Sequence, residues 1–101
     1  MRSNIWNPPG PPTTGTYAGN DSADRAIPHG LGRIPQLVII SVDVLNTQWL
    51  LIGASQRILY PGVANTAIGT ANDSTNFRVG EAGSYTNTAN AVGATYRWVA
   101  I

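Results

Sequence analysis

Short apolar runs alternate along this chain with clusters of Gly, Pro, Asn, Asp and Ser. No window of about eleven residues or more carries the 3.6-residue apolar period of an amphipathic helix. The clearest run covers residues 36–42, where Leu37, Val38, Ile39, Ile40 and Val42 are apolar on both faces. That pattern predicts a strand in the middle of a sheet. Residues 49–52 repeat it on a smaller scale. Residues 14–18, 56–60 and 75–79 alternate, and 63–70 do so weakly. Residues 25–29 carry Pro28, which cannot donate to a ladder and belongs at a strand end or an edge. In the closing strand, 95–101, Tyr96, Trp98 and Ala100 share one face and Val99 and Ile101 the other.

Between the runs, turns are expected at Asn20-Asp21-Ser22, 43–46, Pro61-Gly62, Asn72-Asp73-Ser74 and 80–83, with a polar, loop-like stretch over 84–90. The two Asn-Asp-Ser triplets, each followed by apolar alternation, form a weak internal echo that shared turn chemistry explains more simply than duplication. About seven short antiparallel strands, with a turn every eight to twelve residues or so, predict a single all-β domain, a β-sandwich or small barrel, over residues 15–101.

Residues 1–14 read as an extended arm. Asn7-Pro8-Pro9-Gly10-Pro11-Pro12 lacks most of the donors a ladder needs and favours a polyproline conformation. Ile5 and Trp6 precede it, and an indole in an arm exposes a large apolar area that calls for a pocket, on its own domain or on a neighbour. Ile5, Trp6, Pro8, Pro9, Pro11 and Pro12 are therefore the candidate partner-binding residues. Prolines stand where the apolar segment of a secretory signal would sit.

Composition moves the reading towards assembly. Charged residues make up 11% of the chain, against about a quarter in ordinary soluble domains. The deficit is filled by Asn, Thr, Ser, Gly and Pro. A charge-poor surface suits a chain whose flanks are covered by other subunits. Lysine is absent, and the six basic residues are all arginine, the cation that interfaces favour. Net charge is +1 and the arginines are scattered singly, so nucleic acid is not an expected partner. Cysteine is absent, which removes disulfides and thiolate metal sites. No apolar run approaches membrane-spanning length, and membrane insertion is not expected.

Catalytic chemistry is hard to assemble from what remains. A nucleophilic system would need His29, the single histidine, with Ser41 or Ser55 and Asp43, yet no nucleophile-elbow pattern surrounds either serine. The carboxylates are Asp21, Asp24, Asp43, Asp73 and Glu81. A glycosidase needs a facing pair, whereas Asp21 and Asp73 sit in turns where Asp bonds its own backbone. Asn20, Asp21, Ser22 and Asp24 fall short of the oxygens and carboxylates a calcium site uses. Gly30-Leu31-Gly32-Arg33 lacks the following helix of a phosphate loop. Trp49, Tyr60, Tyr96 and Trp98 fall at strand positions that are usually core, leaving Tyr85, in the polar stretch, as the one aromatic placed for recognition. The chain is read as a non-enzyme with no cofactor.

Gly15-Thr16-Tyr17, Asn20-Asp21, Ile27-Pro28-His29-Gly30-Leu31-Gly32 and Pro35, running into an apolar strand, resemble a domain of bacteriophage and prophage virion proteins. Asp73-Ser74-Thr75-Asn76-Phe77-Arg78-Val79-Gly80 and the closing Gly93-Ala94-Thr95-Tyr96-Arg97-Trp98-Val99-Ala100-Ile101 look like the later strands of the same domain. The resemblance covers roughly residues 15–101 and implies a β-rich module on a virion surface, oligomeric and commonly trimeric, with no catalytic residues. An arm leading directly into the domain is similar to a capsid decoration or accessory protein bound to itself and to the major capsid protein. The alternative is a tail-fibre tip that recognises a host surface glycan or protein, with Tyr85 at its contact.

Overall fold

The computed structural model describes residues 11–42 and 45–101. Among them are eight strands and no helix: β1 (Thr13–Ala18), β2 (Arg25–Pro28), β3 (Leu37–Val42), β4 (Leu45–Ile52), β5 (Arg57–Tyr60), β6 (Ala64–Ala67), β7 (Asn76–Val79) and β8 (Thr95–Ala100). They form two antiparallel sheets. The larger has the order β1-β8-β3-β4-β5-β6, and β2 pairs with β7 in the smaller. The domain is all-β, as the alternation predicts, and neither sheet closes into a barrel.

Three boundaries correct the sequence reading. The turn expected at 43–46 is shorter, because β4 already begins at Leu45 and pairs there with Val42 across a register shift. The weak strand expected at 63–70 contracts to Ala64–Ala67, with Val63 donating to the Tyr60 carbonyl to close a turn. The stretch 84–90 is a run of tight turns, not an open loop, and it ends in Thr88, Ala89 and Asn90, all buried.

Strand alternation places the core on one side of the large sheet. Register aligns Thr13, Ala100, Val38, Leu51, Ile58 and Thr66 in one row across it, and Gly15, Trp98, Ile40 and Trp49 in the next. The small sheet covers this side. Its paired Ile27 and Phe77 are buried, and the Phe77 ring meets Trp98 edge-on at 5.3 Å and Tyr17 at 6.4 Å. Tyr17 stacks on Tyr96 at 5.1 Å, and Tyr96 meets Trp49 edge-on. Gly15 is required by the Trp98 indole: a Cβ there would stand 2.6 Å from Cζ2.

Sheet and loops are sutured by main chain. Gly19 donates to Ala94, Asp21 to Asn90 and Asp24 to Gly80, so the β1–β2 connection lies along 80–94. Gly80, at φ 92° and placed so that a Cβ would run into the Ser22 carbonyl oxygen, fits a residue without a side chain. Ile101 donates to Leu37 and accepts from Gln36 and Leu37, which ties the end of β8 to the start of β3.

Candidate functional site

The polar groups most able to do chemistry are bound into this scaffold. His29 is buried at 2% exposure. Its Nδ1 accepts the Leu31 N–H at 3.0 Å, which leaves Nε2 as the donor to the Asp73 carbonyl at 2.8 Å. Its own N–H donates to the Thr75 carbonyl. The ring thus joins the loop after β2 to the turn before β7 and has no nitrogen left for a substrate. Neither Ser41 nor Ser55 forms a hydrogen bond with it among the described contacts.

Asn90 is the hub of the second polar cluster. Its Nδ2 donates to Asn20 Oδ1 at 3.0 Å and to the Ser22 carbonyl at 2.7 Å. Its Oδ1 accepts from Arg25 at 3.0 Å and from the Asn20 N–H at 3.3 Å. Arg25 also donates to the Ala18 carbonyl at 2.6 Å and lies over the Tyr17 ring. Tyr17 donates to the Ala89 carbonyl at 2.7 Å. Burial, reinforced by Tyr96 and opposed by Arg25, holds the Tyr17 hydroxyl in its neutral form well above the ordinary phenol range. Burial raises Tyr96 in the same direction, against the lowering effect of the Ala91 N–H that it accepts.

The carboxylates are dispersed. Asp21 accepts the Val92 N–H, Asp24 accepts the Thr70 hydroxyl, and Asp73 accepts the N–H groups of Thr75 and Asn76 at 2.8 Å each. Those two donors, Asn76 first, hold the Asp73 carboxyl below the usual carboxylate range. Among the described residues no three His, Asp or Glu side chains converge on a point where a metal could sit. Asn20 and Ser22 bond to each other and to Asn90, while the Asp21 and Asp24 carboxylates turn to Val92 and Thr70 instead. Asp43 lies outside the described residues.

Ile5, Trp6, Pro8 and Pro9 lie outside the described residues as well. Pro11 and Pro12 are exposed and lead into β1 at Thr13. Tyr85 is half-buried in the 84–90 turns, where its carbonyl accepts the N–H groups of Thr88 and Asn90. Trp49, Tyr96 and Trp98 are core, and Tyr60 packs on Trp49 at 5.0 Å.

The far side of the large sheet carries what sequence reasoning missed. Register lines up Thr16, Arg97, Ser41 and Gln48 in one row across β1, β8, β3 and β4. The next row runs Thr14, Val99, Ile39, Leu50, Leu59 and Asn65, so four apolar side chains from four adjacent strands stand side by side. Leu37 and Ile52 pair in the row beyond, with Ile101 beside Leu37. Ile52 is 53% exposed and Val99 40%, and Leu37, Ile39, Leu50 and Leu59 are half-buried. A groove of about 400 Å³ follows the boundary between the polar row and the apolar one. The signal was present in the two-faced apolar pattern of β3 and β4. That pattern predicts a central strand but not what covers each face, and the small sheet covers only one.

Comparison with known protein families, curated proteins and solved structures returns no match. The site must therefore be read from its own geometry: a scaffold whose polar chemistry is turned inward and a sheet face whose apolar chemistry is turned outward.

Proposed function

We propose that this chain is a structural subunit of a phage virion, a decoration or accessory protein on the particle surface that acts by assembling and has no catalytic role. The observation that carries the reading is the row Val99, Ile39, Leu50 and Leu59, which crosses four strands on a face that no described part of the chain covers. A contiguous apolar patch of this kind marks an interaction surface. His29, Asp24, Asp73 and Asn90, the side chains an enzyme would use, bond instead to the chain's own backbone or to neighbouring side chains. The charge deficit and the resemblance of residues 15–101 to virion modules support the same reading. The arm, with Ile5 and Trp6 as anchors and prolines that limit the entropy lost on ordering, is the proposed attachment to the major capsid protein.

The test is to label the protein in purified particles and image them. Label in regular positions on the particle surface is the expected result. Particles that lack the protein would overturn the reading.

A further inference from the structure

We infer that the outer face of the six-stranded sheet is a self-association surface, covered by the same face of a second copy of this chain. The inference rests on the assembling role proposed above and adds to it the surface and the partner.

Area supports the choice of occupant. Six strands at a spacing of about 4.8 Å span roughly 29 Å, and a six-residue strand at about 3.3 Å per residue runs roughly 20 Å. With β5 and β6 shorter, each copy thus offers a face of somewhat under 600 Å², and two such faces together cover just over about 1,000 Å², the minimum a specific interface should clear. Chemistry supports it too. The described outward positions of β1, β3, β4, β5 and β8 carry Arg57 and Arg97 in the flanking rows, which leaves the row Val99, Ile39, Leu50 and Leu59 uncharged, so a second copy laid along it meets no like charge there. The apolar row is continuous, and a face repeated about a two-fold axis meets the same row on its copy. Two antiparallel sheets meeting face to face interdigitate their side chains at about 10 Å, the arrangement of an ordinary sandwich core. The chain then acquires on its second side the layer that its first side has from β2 and β7.

Light scattering after gel filtration, on the full chain at micromolar concentration, tests this with three variants. Ile39→Glu and Val99→Glu place a charge in the apolar row. Val92→Glu places one at an exposed position off the sheet, at 67% exposure. The wild type and Val92→Glu are expected to run at the mass of two or more copies. Both row variants should dissociate at concentrations at least about tenfold higher, while thermal melts monitor their folding. Val99, already 40% exposed, supplies the arm that keeps its fold if Ile39→Glu unfolds. A wild type at the mass of one chain overturns the inference, as does a folded Val99→Glu that stays fully assembled. A chain that pairs through this face but is missing from particles would overturn the virion reading alone. A particle protein whose mass ignores the row variants would overturn this inference alone.

Discussion

Asp73 shows how a single side chain in this protein serves the fold. Its carboxylate closes the turn before β7 by accepting two N–H groups, so the charged form is favoured and the folded-state pKa lies below the unfolded one. The sign follows: the stabilisation is present above the unfolded carboxylate range, near about 3.9, and is lost as pH falls through the folded value. Asp73→Asn keeps the acceptor and removes the titration. Urea midpoints of wild type and variant should therefore converge on acidification from neutral pH to below about pH 3. A gap that stays constant would show that the charge does not matter. Tyr17 acts in the opposite direction. Its raised pKa makes it a group whose stabilisation is present below the ordinary phenol range and declines in alkali.

Among the elements, β8 carries the most. It pairs with β1 on one side and β3 on the other, and its inward residues Tyr96, Trp98 and Ala100 are buried. The alternation of Tyr96, Trp98 and Ala100 made this legible from sequence alone. Trp98→Ala removes an indole packed between Gly15 and Phe77 and should cost about 3–5 kcal/mol. At roughly 4–8 °C per kcal/mol for a domain near this size, the melt should fall by more than about 12 °C. A melt within a few degrees of wild type would refute the core assignment. Other parts were less legible. The buried end of the 84–90 turns looks polar in sequence because the Thr88 hydroxyl bonds to nearby Ser84 and Glu81 while Asn90 faces long-range partners, and no local pattern announces those. Asn90 bonds to residues about seventy positions away in the chain. The two-faced apolar runs of β3 and β4 are legible as strands inside a sheet. Their outward side chains could not be assigned a cover, because an apolar position reads the same whether it is buried by its own chain or by another.

For the whole molecule, the consequence is a two-layer domain with one finished core and one unfinished face. The small sheet seals one side of the large sheet around Phe77, and Val99, Ile39, Leu50 and Leu59 stand on the other. A domain of this size has little stability to spare, so burying a second face matters in proportion. The absence of cysteine allows that face to be probed directly with single introduced thiols. Labelling rates of Val99→Cys and Val92→Cys, followed as protein concentration is raised, test the account most directly. The account predicts that the thiol at 99 becomes progressively protected while the thiol at 92 stays reactive. Equal reactivity of the two at every concentration, with both proteins folded, would contradict it.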